Sequence, residues 1–284
     1  MILVTGAAGK TGRTITKALT DQGFDVRAVV HKDDQISQME EIGAKEVVVA
    51  DLLDEEKLDP AFFRTSAIYH ICPNMHPQEV EIGHLMINLA QKNHLKHFVY
   101  HSVLHPQVEA MPHHWKKMKV EEQLFRMTIP FTILQPAAYM QNVLGYLDDM
   151  LKTGEYKIPY STSSKSSMID LHDLADVVVK VFSETGHEYA IYELAAPGSL
   201  SGLDIATGVG AVTGKLILAR AIDKKDWEKN AKKSGLSAYA VDTLLKMFNY
   251  YEENEFVGNP NQLTWLLGRE PTSFEEFFKN YYKS

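Results

Sequence analysis

The stretch Met1-Ile2-Leu3-Val4-Thr5-Gly6-Ala7-Ala8-Gly9-Lys10-Thr11-Gly12 decides the fold. An apolar run from Met1 to Val4 passes through Thr5 into glycines at positions 6, 9 and 12. Ile15, Ala18 and Leu19 then recur on one face of a helical pattern. A strand, a glycine turn and a helix start in that order make an anion site, because the first helical N–H groups and the helix dipole point at it. The spacing is G-x-x-G-x-x-G rather than the G-x-G-x-x-G of the common dinucleotide fingerprint, so context carries the reading. That context is a strand before the turn, a helix behind it and a second strand one unit later. Gly6, Ala8, Gly9, Lys10, Thr11 and Gly12 are the expected pyrophosphate-binding residues.

Moving outward, strand-like runs occupy Ile2–Thr5, Phe24–Val30, Glu46–Ala50, Ala67–Ile71, His97–Ser102 and Phe131–Leu134. Most are apolar without strict alternation, as strands covered on both faces are. Helical patterns lie between them, one marked by Ile82, Leu85 and Leu89, another by Val120, Leu124 and Met127. Repeated strand–helix units predict a parallel sheet with right-handed crossovers. The expected fold is α/β: a doubly wound, Rossmann-type parallel sheet with a smaller, mainly helical C-terminal domain. Residues 1–151 are read as the dinucleotide-binding domain, with later segments contributing to it, and residues 152–284 mostly as a substrate or partner domain.

The second half breaks into shorter pieces. Ser161 to Ser167 reads as a loop, Leu171 to Phe182 as a helix, Tyr189 to Leu194 as a strand, and the residues after Ser201 as a helix. From Asp223 the pattern is mainly helical. Val241, Leu244, Leu245 and Phe248 form a stripe read as a core-facing side. Thr272 and Ser273 each precede a glutamate by three residues, the capping-box pattern of a last helix.

Composition narrows the function classes. The 284 residues are 45% hydrophobic and 23% charged, with a formal net charge of −8, which argues against a general nucleic-acid binder. No apolar run is long enough to span a bilayer, and the opening strand does not read as a signal peptide, so no membrane partner and cytoplasmic residence are the expectations. The single cysteine, Cys72, excludes an internal disulfide and a Cys-based zinc site. The 12 histidines include the pairs His94/His97, His101/His105 and His113/His114, but none forms a known ligand set, so no metal is expected. Ser102 and His105 lack the G-x-S-x-G surroundings of a nucleophile.

The end of the second strand selects the dinucleotide. An acidic residue there would hold the ribose 2′-hydroxyl of NAD, whereas a basic one accommodates the 2′-phosphate of NADP. Here Val30 is followed by His31 and Lys32, with Lys10 available from the turn, which favours NADP. The alternative is a solvated Lys32 with Asp33 capping the next helix. After the third strand, Asp51 and Leu52 sit where the adenine would lie; Asp51 either accepts the adenine amino group or is a turn residue. Doubly wound sheets bind ligands at the C-terminal strand ends. That adds Cys72, Pro73 and Asn74 after strand four, Ser102 after strand five and Pro136 after strand six. Tyr139 is either a border of the nicotinamide or acceptor site or a packing aromatic.

The segments GAAGKTG, VVVADLLD and VYHSV resemble atypical short-chain dehydrogenases. HHWKKMKVEE (113–122), ILQPAAYMQN (133–142), MIDLHDLAD (168–176) and the closing LLGREPTSFEEFF sharpen this to the NmrA-like group over nearly the whole chain. The resemblance implies an NADP-binding domain with a smaller C-terminal one. Members include NADPH-dependent quinone, dye and phenylpropanoid reductases, and non-enzymatic redox sensors that regulate a protein partner. Typical short-chain dehydrogenases carry Tyr-x-x-x-Lys on one helix face. By resemblance Lys117 keeps the lysine's place, holding the ribose, while His113 stands where the tyrosine would be. Either His113 supplies or relays a proton, as an imidazole of ordinary pKa can at neutral pH, or the acceptor takes hydride directly and its product takes protons from water. The leading expectation is an NADP(H)-dependent reductase of a small quinone-like or dye-like acceptor. A redox sensor acting through a partner is the alternative, and a nucleotide-sugar epimerase or dehydratase the third.

Overall fold

The computed structural model describes residues 1–283. In chain order the first half contains β1 (Ile2–Val4), α1 (Lys10–Asp21), β2 (Val26–Val30), α2 (Ile36–Glu41), β3 (Glu46–Val49), α3 (Glu55–Leu58), β4 (Ala67–His70), α4 (Glu79–Lys92), β5 (His97–His101), α5 (Pro112–Leu124) and β6 (Phe131–Pro136). The second half adds β7 (Ala138–Tyr139), α6 (Leu147–Thr153), β8 (Glu155–Ile158), β9 (Met168–Ile169), α7 (Leu171–Ser183), β10 (Ala190–Leu194), α8 (Gly202–Thr213), β11 (Leu218–Ala221), α9 (Lys224–Lys233), α10 (Ala238–Glu253), α11 (Asn261–Leu267) and α12 (Phe274–Lys283).

Two compact units result. The first takes Met1–Gln107, His113–Gln135 and Leu174–Tyr192; the second takes Val108–Pro112, Pro136–Asp173 and Glu193–Ser284.

The first unit is built on a sheet of order β10-β6-β5-β4-β1-β2-β3, whose β3-to-β6 members all pair in parallel. The order reverses at β1, between β2 and β4, which is the switch point of a doubly wound sheet. Strand Val26–Val30 is buried at every position, which explains its apolar run without alternation. On one sheet face Leu3, Val29, Ile68, Phe98, Tyr100 and Ile133 share a core with Ile82, Met86 and Leu89 of α4 and Val120 and Leu124 of α5. Strand β2 begins at Val26 rather than Phe24, and β6 continues past Leu134 to Pro136.

The second unit holds two small parallel sheets, β8 with β11 and β7 with β9, beside its helices. The stripe on α10 is buried at Val241 and Phe248, and Trp227 of α9 packs edge-on to Phe248 at 4.7 Å between ring centroids. Ser273 caps α12 by accepting from the Glu276 N–H at 3.2 Å. Thr272 is used differently: its N–H and hydroxyl donate to the fully buried Asp173, at 2.7 and 3.1 Å. Ser166, within the expected loop, bridges to Leu200 and Phe256. Among the described residues no helix is long and apolar enough to cross a membrane.

Candidate cofactor and hydride-transfer site

The glycine turn is fixed by its own sterics. Gly6 has φ of +59°, and a Cβ there would lie 2.9 Å from the Ile71 carbonyl oxygen. At Gly12 a Cβ would meet the Gly6 oxygen at 2.3 Å and the Ala7 Cα at 2.6 Å, so the first turn of α1 packs directly on the loop. Gly9 is the N-cap in extended conformation and offers no side chain to the helix N–H groups. No acidic residue stands in the first turn, and Lys10 does, the reverse of what a helix dipole prefers unless an anion is bound. Burial lowers the pKa of Lys10. A backbone pressed this close, with its helix start bare of side-chain caps, fits a pyrophosphate.

Thr5 ties the turn to the next strand. Its hydroxyl donates to the Ile71 carbonyl at 3.0 Å, accepts from the Ile71 N–H at 2.9 Å and lies 2.8 Å from His70 Nδ1. His70 Nε2 is buried without a hydrogen-bond partner. Burial drives the His70 pKa down to about 3, which keeps that ring neutral.

At the end of β2, His31 and Lys32 are exposed, and their N–H groups donate to Gln35 Oε1 at 3.0 and 3.1 Å. The Lys32 ammonium has no carboxylate partner among the described residues, although Asp33 and Asp34 follow it. Asp51 is exposed and uses Oδ1 to accept from the Leu53 N–H at 2.9 Å, a turn of the Asx type, while Leu52 is buried.

At the ends of β4 and β5 a buried polar group assembles. Lys117 Nζ lies 2.9 Å from Glu79 Oε1, donates to the His101 carbonyl at 3.2 Å and sits 5.4 Å from the centre of the Tyr100 ring. The Tyr100 hydroxyl donates to the same Glu79 oxygen at 3.0 Å. Cys72 is buried next to Glu79, and burial with that negative charge pushes its thiol well up, so it is an inert thiol rather than a nucleophile. Pro73 and Asn74 follow it exposed. One helical turn beyond Lys117, Glu121 accepts from Ser102 Oγ and, with both oxygens, from Gln135 Nε2 at 3.0 and 2.9 Å. Burial raises the Glu121 pKa against these hydrogen bonds.

His113 lies one turn before Lys117 on α5, its ring edge-on to His114 at 4.4 Å. Its Nδ1 is buried without a partner, and burial, helped by the nearby His114 and Lys117, lowers its pKa to about 3. This is not the ordinary imidazole the sequence suggested: at neutral pH the ring carries no charge and has no acidic proton to give. Pro136 and Tyr139 belong to the second unit, where β7 pairs with β9 and Tyr139 precedes a 3-10 turn that starts at Met140.

Glu79, Tyr100, Glu121 and Gln135 escaped the sequence reading. Glu121 had a signal, the Lys117-x-x-x-Glu121 spacing that puts both on one helix face. Glu79 had none beyond being an acid in the first turn of a helix, where acids are common. Among the described residues no group of three or more His, Cys, Asp or Glu side chains is placed to hold a metal ion.

Relatives of this chain agree with the architecture. It is 25% identical over 283 residues to an NAD(P)H azoreductase of Xenophilus azovorans, covering 98% of this chain and 97% of that protein. A quinone oxidoreductase of Escherichia coli, solved with NADPH, superposes with a TM-score of 0.87 at 23% identity, covering 99% of this chain and 100% of that one. The Citrobacter triphenylmethane reductase with NADP(H) gives 0.86 at 20% identity, covering 99% of each chain. The model of the NmrA-like family matches residues 1–278, and the chain belongs to that family.

Proposed function

We propose that the protein is an NADP(H)-dependent reductase that delivers hydride to a small, flat quinone-like or dye-like acceptor. The turn at Gly6, Gly9 and Gly12 holds the pyrophosphate, with Ala8, Lys10 and Thr11 around it. Lys32 and His31 receive the 2′-phosphate, and Leu52 and Asp51 border the adenine. Cys72, Pro73, Asn74 and Ser102 line the strand ends, and Lys117 holds a ribose. When bound, NADPH supplies the hydride.

The observation that carries the choice of acceptor is the state of α5. Position 113 has no phenol to protonate a carbonyl oxygen, and its imidazole is held neutral with a pKa of about 3. An acceptor that gains hydride and then takes its proton from water needs no such acid; an alcohol-forming carbonyl reduction or an epimerisation does. The likeness to an azoreductase and to quinone and dye reductases over full length supports the same class.

The test is nicotinamide fluorescence of NADPH with purified protein, followed by quinones, cationic dyes and aldehydes. Binding with catalytic oxidation by a quinone or dye, and not by an aldehyde, is the expected result. Binding without turnover on any acceptor would replace this reading with that of a redox sensor reporting to a protein partner. Replacing Lys32 by Ala should weaken NADP about ten- to a hundred-fold and NAD little, the equivalent of one charge-assisted contact. Equal losses for both would remove Lys32 from the phosphate site.

A further inference from the structure

The Glu79–Lys117 pair is not explained by folding. Glu79 is 4% exposed, and its partner's side chain 13%. Burying an ammonium and a carboxylate costs several kcal/mol per ion, and an apolar pair of similar volume serves a core at least as well. Nor does α4 need a buried acid at its start, since Glu81 of the same first turn is exposed.

The arrangement does fix a direction. An ammonium has three N–H bonds. For Lys117 one points to Glu79 Oε1 at 2.9 Å and one to the His101 carbonyl at 3.2 Å. The carboxylate is itself held by the Tyr100 hydroxyl at 3.0 Å, and that ring lies under the ammonium. The third N–H is thereby aimed without freedom to rotate. Strands β4 and β5 lie on the far side of β1 from β2, where Lys32 stands. A dinucleotide with its pyrophosphate on α1 and its adenosine phosphate at β2 must run its other half toward β4 and β5.

We infer that Glu79 is a positioning residue: with the His101 carbonyl it turns the third N–H of Lys117 toward the ribose on the nicotinamide half of the cofactor. This rests on the reading of Lys117 as a ribose contact. Glu79 touches neither cofactor nor acceptor and works only through the lysine.

The experiment is a double-mutant cycle on NADPH binding, with Glu79→Gln, Lys117→Met and the double variant, read by nicotinamide fluorescence. Binding of 2′,5′-ADP, which lacks the nicotinamide ribose, is measured beside it, with thermal unfolding as the check on folding. Glu79→Gln should weaken NADPH about tenfold, the scale of one charge-assisted hydrogen bond. It should leave 2′,5′-ADP within about twofold, and should add nothing once Lys117 is Met. Additive losses would overturn the inference, because Glu79 would then act elsewhere. So would equal weakening of 2′,5′-ADP, which marks general damage, or wild-type NADPH affinity in Glu79→Gln. If Lys117→Met alone binds NADPH as the parent does, the ribose reading of Lys117 falls, and the inference falls with it. Failure of all variants and the parent to bind NADPH would instead remove the proposed function.

Discussion

The glycine turn and the Lys117 cluster are two halves of one proposed cofactor site, made in opposite ways. The turn is local: Gly6, Gly9 and Gly12 lie within seven residues, and the positive φ of Gly6 and the close backbone approach at Gly6 and Gly12 leave no room for another side chain there. The cluster is assembled: Cys72, Glu79, Tyr100, Ser102, Lys117, Glu121 and Gln135 come from the ends of three strands and from two helices. The turn depends on backbone sterics, the cluster on satisfied buried polar groups. A substitution should therefore break the first by a clash and the second by leaving partners unpaired.

The largest effect is expected in the turn. Gly12→Ala places a Cβ 2.3 Å from a backbone oxygen that no side-chain rotation can move aside. A loss of about 3 kcal/mol in unfolding free energy, at the upper end of overpacking costs, is expected. NADPH binding should be lost as well. Urea unfolding of the variant beside wild type reads the first, and fluorescence titration the second. A Gly12→Ala protein that unfolds and binds like the parent would mean that the helix start does not press on the loop.

Next comes the cluster. Glu121→Ala leaves the Ser102 hydroxyl and the Gln135 amide without their acceptor in a buried setting. About 2 kcal/mol of stability should go, the usual cost of stranded buried polar groups. Glu121→Gln should lose less, because its amide oxygen still accepts. If both variants lose equally, charge rather than hydrogen-bond satisfaction holds the cluster, and the contrast with the turn changes.

The last effect is absent at neutral pH. His70, His101 and His113 have pKa values lowered from 6.5 to about 3 by burial, and His114 to about 4. The unfolded chain binds protons between pH 6.5 and 3 that the folded chain refuses. Stability from these groups is complete above about pH 6.5 and is lost as pH falls toward 3. Urea midpoints should fall between pH 7 and pH 4.5. His70→Phe should flatten that fall, since one of the four rings no longer titrates. An unchanged pH slope in His70→Phe would assign the acid sensitivity to other groups.

Read residue by residue, the sequence carried the parallel sheet because β1, β2, β4 and β6 are short, mostly apolar and buried at every position, and carried the turn because glycine conformation is a local property. It carried Lys117 through a spacing on one helix. It could not give Glu79 its role, because an acid in a first helical turn looks the same whether it faces water, as Glu81 does, or a buried lysine 38 positions away. Nor could it show that His113 is neutral, since burial, which the sequence does not display, is the largest cause of the lowered pKa, with His114 and Lys117 adding to it. Thr272 makes the same point in the second unit: its spacing to Glu275 reads as a cap, yet Asp173, 99 positions earlier, takes both its donors. What the chain alone determined was set by contacts between near neighbours, where sterics and periodicity suffice. What tertiary structure decided was the partner and protonation of each buried polar group, because burial brings distant residues together and removes the water that would otherwise satisfy them.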